Sequence, residues 1–227
     1  MTGPTGRQGD QRTVRVRAVC KPCNNGWMNQ LESKVRPYLT PMVTGENVTL
    51  DQAALATVAQ WLTLKVMVVE HDAQNTVLTP QADRSRFRDT LEPPPYYRLY
   101  AAHNISADPL FFLRHSVCVA FTLEGPNPPL DDTTKNIQVV TMVAGKVVFQ
   151  AICTRINDFA IEDRAMALGF HNRCRFWPNP PELMAFPSRP RLDKERILRV
   201  ATIVERYVAA SKVTWLWSEP RRSSTYE

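Results

Sequence analysis

The stretch from Ala53 to Val69 constrains this chain more than any other. It reads as one helix, with Asp51 placed to cap it and apolar residues on most of its faces. A helix of that kind has to be covered on nearly every side, so the remaining sequence must supply the layers around it. A membrane would be the alternative cover for Leu50 to Val69, but Gln60 and Lys65 interrupt the run, and the clean apolar part falls short of about 18 residues. The expectation is a central buried helix over 51–70 in a chain of 227 residues, 44% of them apolar, which is enough material for a substantial core.

The candidates for that cover lie on both sides. Thr13 to Val19 alternates Val14, Val16 and Ala18 with Arg15 and Arg17, the period of a half-exposed strand with a basic outer face. Cys20-Lys21-Pro22-Cys23 makes a turn, and from Asn24, with Asn24 or Asn25 as cap, the period becomes helical. Trp27, Leu31, Val35 and Tyr38 form its stripe, Glu32 stands four residues before Arg36, and Pro37 marks the expected end. A helix over 80–91 is signalled by Thr79 as cap and Pro80 at the first helical position. Its Arg84, Arg86 and Arg88 share no single face and read as surface charge. After Pro93-Pro94-Pro95 the pattern turns to β. Tyr96 to Ala102, Pro109 to Leu123, Ile137 to Val143 and Lys146 to Cys153 are rich in β-branched and aromatic residues, and Ala144-Gly145 closes the last two as a hairpin. Many of the 18 prolines collect at Pro93 to Pro95, Gly125 to Pro129 and Trp177 to Pro190, which read as loops. A final helix over 193–211 is capped by Asp193 and buries Ile197, Val200, Val204 and Val208. Helices and strands are segregated along the chain, so the class is α+β, with a small unit over 1–40 and an α+β body over 41–227.

Several chemistries find no seat in this pattern. The glycines do not fall in a phosphate-loop spacing, and His71, His103, His115 and His171 stand in no metalloprotease or nucleophile-elbow arrangement. Glu70-His71-Asp72 reads as a plain helix end, because adjacent residues there do not converge on one point. Cys118 and Cys153 lie in apolar runs, where a free thiol acts as a small hydrophobe. Five cysteines, and an N-terminal stretch from Met1 to Gln11 with no apolar run, fit an intracellular, cytoplasmic protein. The formal charge of +6 is divided, since residues 1–36 and 171–227 each carry +5 and residues 37–170 carry −4. Basic ends around an acidic middle fit a polyanion partner.

Chemistry concentrates in Cys20-Lys21-Pro22-Cys23-Asn24-Asn25-Gly26-Trp27-Met28, followed by Leu31-Glu32. A two-residue gap lets both sulfurs reach one tetrahedral zinc, which supplies half of a structural site. This run resembles the second knuckle and helix start of an HNH-type endonuclease subgroup found in actinobacteria and their phages. The resemblance implies a ββα fold with one catalytic divalent metal, Mg²⁺ or Mn²⁺, braced by a structural Zn²⁺ between two Cys pairs. It also implies that Cys20 and Cys23 are one of those pairs and that Asn24 stands at the position of a metal ligand. The family's first Cys pair and its base histidine lie upstream of this knuckle, whereas Met1 to Val19 contains neither Cys nor His. The expectation is therefore a knuckle remnant: either translation begins upstream of Met1, or the chain is a degenerate relative; in both cases the expected ligand is nucleic acid, DNA, and cleavage is expected to be weak or absent.

The residues leave other readings open. Lys-Pro between two cysteines at a helix start is also similar to the thioredoxin-type redox turn. His171-x-x-Cys174 would complete a Cys₃His zinc site with Cys20 and Cys23. Two reduced cysteines at a turn, in a non-catalytic binding or assembly module with a protein partner or a second copy, is the plainest alternative. Arg12, Arg15, Arg17 and Lys21 are the candidate contacts to nucleic acid, and Trp177, Trp215 and Trp217 beside Arg173, Arg175, Arg221 and Arg222 could stack bases. Trp27 reads as a core anchor and Trp61 as buried.

Overall fold

The computed structural model describes residues 18–72, 76–108, 111–122, 133–156, 174–187 and 190–204, and the backbone of 215–216. Arg12, Arg15, Arg17, His171, Arg173, Trp217, Arg221, Arg222, most of the Thr13 to Val19 strand and the end of the 193–211 helix lie outside the described residues.

The chain enters through a single helical turn, α1 (Lys21–Cys23), and a wide turn over Asn24–Met28, in which Gly26 leaves helical geometry at φ −95°, ψ −115°. It continues as α2 (Asn29–Thr44). The helix does not stop before Pro37, as the sequence predicts, but runs through both Pro37 and Pro41 to Gly45. Pro37 and the residue whose carbonyl it leaves unbonded, Ser33, are both exposed, so that carbonyl faces water. Burial of Leu31, Val35 and Met42 along the opposite face holds the continuous helix together. Gly45 ends it at φ +83°, where a left-handed residue costs glycine little, and the Gly45 and Glu46 amides both donate to Pro41 O at 2.9 Å.

A short strand, β1 (Val48–Asp51), leads into α3 (Gln52–Val69), whose first turn is capped by Asp51 Oδ1 accepting from Ala54 N at 2.8 Å. By length and composition α3 could cross a membrane. It instead packs inside the body, with eleven buried residues from Ala54 to Val69. Lys65, the charge inside its apolar run, pairs with Glu32 of α2 and lies over the Trp61 ring. Trp61 is half-buried rather than fully enclosed, set edge-on to Phe149 at 5.5 Å between centroids.

After α4 (Gln81–Thr90) the chain forms β2 (Tyr97–Asn104), β3 (Leu113–Val119), β4 (Ile137–Ala144), β5 (Val147–Thr154), β6 (Arg175–Trp177), β7 (Leu183–Phe186), β8 (Arg191–Leu192), α5 (Lys194–Ala201) and β9 (Trp215–Leu216). The α+β class stands. The main sheet runs β6-β2-β5-β4-β3-β9, and β8 pairs with β2. All its pairings are antiparallel except β2 with β8. The order β2-β5-β4-β3 is a Greek key: β3, β4 and β5 are hairpin-connected, and β2 returns beside β5.

This sheet is covered on both faces. Leu99, Ala101, Val140, Phe149 and Ala151 face a first core shared with α2, α3 and Phe87 of α4. Tyr100, Val117, Val139, Val148 and Ile152 face a second core built with Ile197, Val200 and Val204. Double coverage explains why β5 is buried at every position and shows no inside-outside alternation. Two buried amides tie layers together: Gln150 Nε2 donates to Val200 O at 3.0 Å, and Gln138 Nε2 to Thr76 O at 2.7 Å. The β4–β5 hairpin turns at Gly145-Lys146, one residue later than the sequence predicts, with Gly145 at φ +53°. A separate ladder joins β1 to β7, pairing Val48 with Phe186 and Asp51 with Leu183, and so stitches the start of α3 to the Pro-rich segment.

Candidate functional site

The sequence motif divides its residues cleanly between body and solvent. Trp27 and Met28 pack against the first core and Leu31 belongs to it, with Trp27 edge-on to Phe87 of α4 at 6.1 Å. Cys20, Lys21, Asn24 and Asn25 are exposed. The apolar half of the motif thus anchors the turn, and the polar half projects from it.

Cys20, not Asn24 or Asn25, caps the first turn: its Sγ accepts from Cys23 N at 3.4 Å. Asn24 Nδ2 donates to Asn25 Oδ1 at 3.4 Å, which leaves the Asn24 carbonyl oxygen as the atom suited to a cation. The two thiols are held apart in acidity. Hydrogen bonding from the Cys23 side chain and then from its backbone N–H lowers the Cys20 pKa, with Arg88 adding a smaller electrostatic pull. The hydrogen bond to Cys20 raises Cys23, and neighbouring Trp27 opposes that rise. The other cysteines behave oppositely. Cys118, Cys153 and Cys174 are buried, and burial pushes Cys174 up to about 12 and Cys153 well above the ordinary thiol range.

The structure does not bring Cys174 to Cys20 and Cys23. Cys174 is packed in the second core, while the Cys20–Cys23 turn is attached to the first, on the other side of the sheet. His171 lies outside the described residues. Among the described residues no cluster of three or more His, Cys, Asp or Glu is placed to hold a metal. The two thiols fit zinc as half a site, by spacing and by the lowered pKa of Cys20.

Beside the turn, the inner side of the motif, α3 and α4 enclose a cavity of about 250 Å³. Cys20, Cys23, His71, Arg84 and Arg88 all line it. Arg84, which the sequence presents as surface charge, is half-buried and fully engaged. Its Nε donates to Thr79 O at 3.1 Å, its Nη1 to Met67 O at 2.8 Å, and its Nη2 to Glu70. Glu70 is completely buried at the end of α3 and also accepts from the Thr79 hydroxyl at 2.6 Å and the Thr79 amide at 3.2 Å. Thr79 is therefore spent on Glu70, and the cap position of α4 falls to Pro80. Burial raises the Glu70 pKa to about 7 against the opposing pull of Arg84 and Thr79. The Glu70-His71-Asp72 residues diverge as expected: Glu70 turns inward, His71 faces the cavity, and Asp72 pairs with Arg114 of β3 at 2.7 Å. Burial and Arg84 lower the His71 pKa, which favours neutral imidazole.

Trp177 sits in β6, half-buried against the first core, so packing accounts for it. No protein-family model, no curated protein and no solved structure matches this chain.

Proposed function

We propose that this chain is an HNH endonuclease-like, intracellular nucleic-acid-binding protein whose Cys20–Cys23 pair supplies half of a structural zinc site. The carrying observation is the contrast among its cysteines: three are enclosed in cores as hydrophobes, whereas these two project from a turn anchored by Trp27, with the Cys20 thiol made more acidic. A bound zinc would brace the turn; a divalent cation at Asn24, if held, would supply charge stabilisation to a phosphodiester. The chain's own residues bring cations to that surface. Lys21, Lys34 and Arg36 are exposed along the same helical run, and Arg88 stands beside the thiols. They provide the salt-sensitive phosphate contacts expected of such a surface. With no histidine in the knuckle run from Cys20 to Glu32, cleavage should be weak or absent, since a positioned general base is worth about 100- to 10,000-fold.

The test is duplex DNA retardation at 50 and 200 mM salt, run beside plasmid nicking with Mg²⁺ or Mn²⁺, Asn24→Ala and a chelator control. Retardation that weakens steeply with salt supports the reading, and nicking lost in Asn24→Ala would extend it to catalysis. Salt-insensitive or absent binding overturns it.

One observation favours a second reading, that of a thiol redox protein. The lowered pKa of Cys20 beside the raised pKa of Cys23 is the division expected of an attacking and a resolving thiol. Zinc-free protein that reduces a small disulfide, with activity lost in Cys20→Ser, would favour this reading over the knuckle.

A further inference from the structure

The cavity beside the Cys20–Cys23 turn has a composition that a turn docked on two helices does not require. Leu64, Met67 and Val68 of α3 and Phe87 of α4 give it an apolar floor. Its polar lining includes Arg84, Arg88 and His71, and among the described residues no carboxylate lines it. Arg84 is fixed from behind by the Thr79 and Met67 carbonyls and by Glu70, so one guanidinium is already oriented at the wall. Arg88 is different: it is half-exposed, pairs with its neighbour Asp89, and stands at the solvent side. An apolar floor with a few convergent polar groups is the usual construction of a small-molecule site, and here the charged groups that line it, Arg84 and Arg88 among the described residues, are cationic.

We propose that this cavity binds a small molecule with an apolar body and an anionic head, a carboxylate, sulfonate or phosphate monoester. The apolar body rests against Leu64, Met67, Val68 and Phe87, and Arg88 attracts the head, with Arg84 behind it. Such a ligand would sit beside the Cys20 thiol, and its binding does not depend on the nucleic-acid reading above.

The experiment uses the full chain with 1-anilinonaphthalene-8-sulfonate as the anionic probe and N-phenyl-1-naphthylamine, the same ring system without the sulfonate, as the neutral control. Saturable one-to-one binding of the anionic probe is expected, at least tenfold tighter than that of the neutral one. Arg88→Glu should remove that preference, lowering the affinity ratio of the anionic to the neutral probe at least tenfold. Ser85→Phe, which places a ring in the lining while keeping both arginines, should abolish binding of both. Unaltered circular dichroism and melting temperature certify that each variant is folded. Three results overturn the proposal: no saturable binding to the wild-type chain, equal affinity for the two probes, or anionic-probe binding that survives Ser85→Phe in a folded protein.

Discussion

Glu70 is the residue whose environment departs furthest from what its type prefers. It is a carboxyl group with no solvent exposure, paired with Arg84 and hydrogen-bonded by Thr79, which itself meets the Tyr97 hydroxyl at 2.6 Å. Its pKa rises from 4.5 to about 7 because burial penalises the charged form more than its partners restore it. The folded state therefore holds a proton that the unfolded state releases. Stability from this group is fully present below about pH 4.5, and falls as pH rises toward and through 7. Over that interval the loss amounts to roughly 2–3 kcal/mol. Urea denaturation at pH 5 and 7.5 should show that decline in the wild-type chain, and Glu70→Gln should flatten it. Glu70→Ala should lower stability by about 3–5 kcal/mol at neutral pH, because Arg84 would keep a largely buried charge without its partner. Neither Glu70 nor Arg84 was legible as a pair in the sequence. A glutamate after Val68-Val69 looks like a helix end, and an arginine on a short charged helix looks like solvent-facing charge; only the fold of the 70–84 segment brings the two together.

Individual elements show where local pattern suffices and where it fails. Pro37 is a strong stop signal, yet α2 continues through it because the freed carbonyl faces water and the buried face is uninterrupted. Pro37→Ala should restore one helical hydrogen bond at an exposed site and stabilise the chain by roughly 1–3 kcal/mol, read as a melting temperature several degrees higher. The Gly145 turn is the opposite case. A Cβ there would stand 2.3 Å from Val43 O, and φ is +53°. The neighbouring Lys146 amide donates to that same carbonyl at 2.9 Å. Gly145→Ala should cost about 2 kcal/mol or more and be visible in the same melting experiment. The long elements were legible because their patterns are internal: α3 is apolar by itself, and β2 to β5 carry their own β-branched runs. β1, β6, β7 and β8 were not, since strands of two to four residues have little periodicity and exist by virtue of partners far along the chain. At the candidate site the thiol spacing was readable, but the cap belonged to Cys20 instead of an asparagine, because the helical path begins one turn earlier than the side-chain periodicity shows.

For the whole molecule, a doubly covered Greek-key sheet places β4 and β5 deepest, with helices on one side and α5 on the other. Amide hydrogen exchange should be slowest there and should approach the global unfolding free energy, with α1 and the following turn exchanging far faster. The β1–β7 ladder is the one described pairing that lies apart from this sheet, and it joins residues more than a hundred positions apart. During synthesis, at about 5–20 residues per second, β1 would leave the ribosome on the order of ten seconds before β7. For that interval the edge of Leu50, completely buried in the finished protein, has no strand to meet. The helical layer is thus born before its clasp, and a nascent chain stalled ahead of residue 183 would present a bare apolar edge to chaperones or to its neighbours.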